Sequence, residues 1–96
     1  MANVVLINPF EVPPASDDRF LAGWQAAADY LRGQPGFAGT RLHRALAADA
    51  RFRFVNVAEW ASPGHFRAAV SSDGFRRLLE GAPAGSPSLY EILRTL

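Results

Sequence analysis

The sequence predicts a small α+β domain in which one four-stranded antiparallel sheet carries its helices on a single face. Three observations predict it. Four β-prone runs and two helical regions follow one another in the order β-α-β-β-α-β. At 96 residues a folded chain buries about two-thirds of the surface its unfolded form exposes, enough for one core and not for two. Right-handed crossovers then place both helical regions on the same side of the sheet.

Each element has its own signal. Val4 to Val12 is β-branched and apolar and is stopped by Pro13-Pro14, neither of which can donate to a ladder. Ser16 offers a helix cap, with Asp17 and Asp18 in the first turn where the helix dipole favours anions. Phe20, Trp24, Ala27, Ala28 and Leu31 recur at helical spacing up to about Gly33. After Gln34-Pro35-Gly36, a second strand is expected over Phe37–Leu46 and a turn over Ala47–Ala50. From Phe52 to Trp60 the chain alternates again, with Phe52, Phe54, Asn56, Ala58 and Trp60 on one face, so strands two and three form a hairpin. Ser62-Pro63 starts a helix and Ser72-Asp73 restarts it, giving two short pieces over about 63–70 and 73–80. Gly81 to Pro87 is a loop, and Leu89–Leu93 is the fourth strand.

This is a ferredoxin-like arrangement, read as one domain over residues 1–96, with strands one and three at the sheet centre and expected to run parallel. If Leu6, Asn8 and Phe10 face the helices, then Val5, Ile7, Pro9, Val55 and Val57 face away on a bare apolar surface. Soluble monomers rarely leave several hundred Å² of such surface open, so a sheet-to-sheet homodimer is expected.

Composition narrows the chemistry. The chain has no cysteine, so there is no disulfide framework, thiolate nucleophile or cysteine-bound metal cluster. Ten arginines against nine acids give a formal charge of +1 with no basic stripe, so nucleic acid is not expected as a partner. No apolar run approaches the roughly 18–20 residues of a membrane span, and Met1 to Phe10 lacks the basic start of a secretory signal. A cytoplasmic protein that does not bind membranes is the expectation.

A few polar and aromatic residues stand apart from packing. Asn8 lies in the most apolar run of the sequence, where an unpartnered amide would cost about 1–3 kcal/mol. It either satisfies backbone groups beside Pro9 or points a donor into a cleft, and Asn56, of the same parity on the neighbouring strand, is its natural structural partner. Trp60 ends the third strand on the face of Asn56, as core or as a cavity wall. With Phe20 and Trp24 it could enclose a flat aromatic slot floored by Asn8, a pocket for a planar ligand. His43 and His65 are the side chains whose ordinary pKa suits proton transfer near neutrality, and both also read as structural or exposed histidines. Neither has metal-ligand spacing, and phosphate-loop, G-x-S-x-G and paired-carboxylate motifs are absent.

Val4 to Pro13, Gln34-Pro35-Gly36-Phe37, Phe54 to Ser62, Phe66 and Ser72-Asp73-Gly74-Phe75, in this order and spacing, resemble the antibiotic biosynthesis monooxygenase superfamily from about Val4 to Leu93. The resemblance implies a dimeric α+β barrel. Among such proteins are cofactor-independent oxygenases of polycyclic phenols or anthrones, haem-degrading enzymes, quinol oxygenases and signal-processing relatives. Asn8 and Trp60 match pocket positions of the oxygenase and haem-degrading branches, and Trp24 falls where the latter has a pocket aromatic. The haem-degrading branch also uses a histidine shortly after the position of Phe75, where this chain has Leu79. The resemblance thus implies a monooxygenase that needs no cofactor and acts with O₂ on a phenol, hydroquinone or anthrone. Asn8 and Trp60 would be its catalytic donors and Trp24 part of its pocket. The residues themselves add Phe20 and Asn56 to that pocket and offer His43 or His65 as a base by chemistry alone, which a substrate acidic enough to ionise unaided does not need. A non-catalytic ligand-binding or oligomeric module is the alternative, and a haem-binding or haem-degrading protein a third.

Overall fold

The computed structural model describes residues 3–96. Strand β1 (Val4–Phe10) leads through a 3₁₀ turn (Pro14–Ser16) into helix α1 (Asp17–Leu31). Strands β2 (Phe37–Arg44) and β3 (Phe54–Trp60) follow as a hairpin, then helices α2 (Pro63–Val70) and α3 (Asp73–Leu78) and strand β4 (Ser88–Glu91). The sheet order is β2-β3-β1-β4.

The central pair differs from expectation: β1 and β3 run antiparallel, with Asn8 opposite Asn56 and Leu6 opposite Ala58. The reason is directional. The crossover through α1 returns β2 in the sense of β1, and the hairpin then reverses the chain, so β3 must oppose β1. Ser16 also departs from its expected role, since its side chain makes no capping hydrogen bond and the preceding residues close a 3₁₀ turn instead. The entry of α1 is tied down by Arg53, whose Nε and Nη2 each donate to an Asp17 carboxylate oxygen at 2.7 Å. Ser62 and Ser72 do cap, accepting from the backbone N–H groups of His65 and Phe75. Ser72 also joins α3 to α1. Its hydroxyl donates to the Ala69 carbonyl at 2.8 Å, so its one proton is spent and the Tyr30 hydroxyl donates to it, also at 2.8 Å.

The strands are shorter than their apolar runs. β2 ends at Arg44 rather than Leu46, whose side chain is fully exposed, and β3 begins at Phe54 rather than Phe52. Arg51 lies over the Phe52 ring outside the sheet, 4.9 Å from its centroid.

The core is split. Leu6, Ala58, Trp60 and Ala69 form one buried cluster, and Val12, Phe20 and Phe54 form another. Across the antiparallel β1–β3 pair the layers match: Leu6 faces Ala58 in the first cluster, Asn8 faces Asn56, and Phe10, packed against the second cluster, faces Phe54 within it. The two carboxamides occupy the break between the clusters. The fold is only 17 Å thick against 40 and 37 Å in the other directions, which is one sheet and one helical layer.

Candidate functional site

The break in the core opens into a cavity of about 810 Å³ between the sheet and the helices, within the range of sites for drug-sized ligands. Its floor is the inward face of the sheet and its roof is α1, α2 and α3, with the 81–87 loop along one side. Asn8, Phe20, Trp24, Asn56 and Trp60 all border it, so these five expected site residues are brought together.

Asn56 is oriented by its neighbours. Its Oδ1 accepts from Thr40 Oγ1 at 2.6 Å and from Trp24 Nε1 at 3.3 Å. An indole N–H can only donate, so the atom facing Trp24 must be the carbonyl oxygen and the amide presents Nδ2–H as its remaining capacity. That capacity is not spent on Asn8, although the two stand opposite in register. Asn8 Oδ1 is buried without a hydrogen-bond partner. It lies under Gly85, where a β-carbon would collide with Asn8 Oδ1 and crowd the Phe10 ring. Glycine is required there because the loop backbone closes directly onto the amide, an approach held by the Ser86 N–H donating to the Pro9 carbonyl at 3.1 Å.

Trp60 borders the cavity but presents no accessible surface. Phe37 and Phe66 meet its ring edge-on at 5.3 and 5.8 Å between centroids, and its Nε1–H is buried without an acceptor among the described residues. The indole is thus both core and wall, with a buried and unspent donor.

The two histidines lie elsewhere. His43, exposed on β2, has its Nδ1 3.2 Å from the Val55 carbonyl and borders a separate shallow depression with Leu42 and Arg44. His65 lies over Gly36, where a β-carbon would overlap its ring, with Nδ1 2.7 Å from Ser62 Oγ. Neither borders the cavity within the single chain.

Sequence reasoning missed Thr40, Arg19 and Gly23, which also border the cavity. Simple alternation puts Phe37 and Thr40 on opposite faces, yet both reach it, because a register shift between Phe37 and Gly39 turns the strand by one residue. The interior Gly39 was the available signal of that bulge. Arg19 and Gly23 carried no periodic apolar signal, being exposed residues beside the buried stripe of α1.

A family model for antibiotic biosynthesis monooxygenases matches residues 3–81. The chain belongs to this family. A candidate monooxygenase of the family's fold from Shewanella loihica PV-4 is 36% identical, with a TM-score of 0.86 over 98% of this chain and 97% of that one. SnoaB from Streptomyces nogalater, a cofactor-independent oxygenase whose asparagine-to-alanine variant has been solved, is 26% identical, with a TM-score of 0.83 over 100% of this chain and 98% of that one. A haem-degrading protein from Mycobacterium tuberculosis, solved free of haem, is 25% identical, with a TM-score of 0.74 over 99% of both chains. No functionally curated protein matches the sequence. A monooxygenase-type role follows from the family and from these neighbours. Among the described residues no helix is long and apolar enough to cross a membrane, and no cluster of three potential ligands could hold a metal ion.

Proposed function

We propose that this protein is a cofactor-independent monooxygenase of flat aromatic substrates such as a hydroquinone or anthrone. The observation that carries the reading is a roomy, mostly apolar cavity with two adjacent carboxamides on its floor, at the one break in the core. Phe20 and Trp24 offer faces against which a planar ring can lie, and Asn8 and Asn56 offer the donors.

The substrate supplies the electrons. An anthrone loses the proton of its central methylene, and its anion passes one electron to O₂. The radical pair recombines as a carbon-bound peroxide, which takes up a proton. Loss of water leaves a carbonyl, so one oxygen atom enters the product and the other leaves as water. The protein's part is to orient the ring, exclude water and stabilise negative charge on the ring oxygen and then on the peroxide. Asn56 Nδ2–H is pre-positioned for this because Thr40 and Trp24 hold its carbonyl, and one well-aimed donor of this kind is worth about 10²- to 10³-fold in rate. Asn8 is the second donor. Trp60 joins them where its buried, unpartnered Nε1–H becomes accessible to the ligand. With both histidines away from the cavity, the substrate best suited to the site is one acidic enough to ionise without a dedicated base.

Haem fits poorly. Leu79 borders the cavity where the family resemblance would place an axial histidine, and the lining contains no histidine, tyrosine, methionine or cysteine. The outward sheet face, with Val5, Ile7, Pro9, Val55 and Val57 half-buried in the single chain, supports a homodimer packed through the sheets.

The test is O₂ consumption with dithranol, an anthrone, and no added cofactor. The expected result is turnover by the native protein and a fall of about 10²-fold in kcat for Asn8→Ala and for Asn56→Ala with unaltered circular dichroism. Full turnover by both variants removes the proposed donors. A Soret shift on adding haemin, with no O₂ uptake across a panel of phenols and anthrones, favours the haem-binding reading. Ligand binding with neither signal favours a non-catalytic module.

A further inference from the structure

We propose that Arg19 and Gly23 form a selectivity edge at the cavity mouth, favouring aromatic ligands that carry an anionic arm such as a carboxylate. The inference rests on the aromatic-ligand reading of the cavity and adds to it which member of that class the site prefers.

Three observations converge on this edge. Arg19 and Gly23 are exposed, border the cavity and stand one helical turn apart on α1, so they form one side of its opening. Glu80 and the first residues of the 81–87 loop also border the cavity and are exposed. Arg19 is the cation among the lining residues, and it is uncommitted: it takes part in no ion pair or side-chain hydrogen bond among the described residues. Its helical neighbours at three and four residues are Ser16, Ala15, Ala22 and Gly23, none of which is an acid. Of the two acids just before it, Asp17 is held by Arg53, and Asp18 makes no ion pair with Arg19.

Gly23 supplies the room. A β-carbon there would meet no atom within 4 Å, so packing does not demand glycine, and a glycine inside a helix is otherwise unfavourable. The missing side chain leaves the passage between α1 and the loop wide at the point Arg19 overlooks. A ring system seated over Asn8 and Asn56 can therefore extend an arm outward past Gly23 and end it at the guanidinium. Glu80, the acid among the lining residues, repels the same charge and so favours an arm that ends at Arg19.

The experiment is a binding titration followed by the fluorescence of Trp24 and Trp60, comparing anthraquinone-2-carboxylate with 2-(hydroxymethyl)anthraquinone. The two probes share a ring system and differ in the charge of the arm. An exposed arginine–carboxylate contact predicts about a threefold to fivefold preference for the acid at low salt, compressed towards unity at high salt. Arg19→Gln brings the ratio to about one, Glu80→Gln raises it, and Gly23→Phe weakens both probes. If both probes bind equally, or if Arg19→Gln leaves the preference intact, the selectivity edge is overturned while the aromatic cavity stands. If neither probe binds, the aromatic-ligand reading fails and this inference fails with it.

Discussion

Asn56 shows how a single side chain acquires a chemical orientation. Two donors converge on one carbonyl oxygen, Thr40 from β2 and Trp24 from α1, and each restricts the rotation the other would permit. Removing either leaves a weaker restraint, and removing both frees the amide to turn. Thr40→Val is expected to cost about 1 kcal/mol in a urea melt, and Trp24→Phe somewhat more because ring packing changes as well. Because the two bonds share an acceptor, the double variant should depart from additivity by at least about 0.5 kcal/mol in a double-mutant cycle. The parity of Asn56 with Asn8 was legible from alternation in the strands. Its actual partners were not, since Trp24 and Thr40 lie 32 and 16 residues away.

The elements are joined by a few polar clasps that make specific demands. Ser62 and Ser72 both cap, but Ser72 also takes the Tyr30 hydroxyl and donates to the chain before it. Ser62→Ala is therefore expected to cost about 1 kcal/mol and Ser72→Ala roughly 2 kcal/mol in thermal or urea unfolding. The start of α1 depends on charge instead. The Arg53 hydrogen bonds hold the Asp17 carboxyl below its ordinary pKa of 3.8, with the nearby positive charges of Arg53 and Arg44 acting in the same direction and partial burial opposing them. A carboxyl with a depressed folded-state pKa contributes stability that is present above its unfolded pKa and lost as pH falls through the folded value. The stability difference between native protein and Asp17→Asn should thus be steady near neutrality and shrink on acidification below about pH 4, as read by urea midpoints across that range. The acids of this first turn were evident in the sequence as dipole partners; the arginine that engages one of them, 36 residues on, was not.

On the scale of the molecule, the cavity and the outward sheet face are two results of one economy. A two-layer fold 17 Å thick has one covered sheet face and one uncovered, and the covered side is itself interrupted by the asparagine pair. If the outer face is the dimer surface, Val57→Arg places charges at its centre and should halve the mass seen by light scattering from about twice 10.4 kDa to the single-chain value. A monomeric native protein would refute the sheet-to-sheet assembly and leave the cavity untouched.

The order of elements, the hairpin, the divided second helical region, the inward parity of Asn8, Asn56 and Trp60, and the family resemblance were all determined by the sequence itself. They rest on local chemistry: alternation, helical spacing, proline and glycine punctuation, and caps. The direction of β1 against β3, the bulge that brings Phe37 and Thr40 to one face, the burial of the Trp60 N–H and the exclusion of both histidines from the cavity were decided by tertiary structure alone. Each depends on which distant residues meet, and a strand's register or a side chain's burial is set by the partner across the gap, which no local pattern encodes.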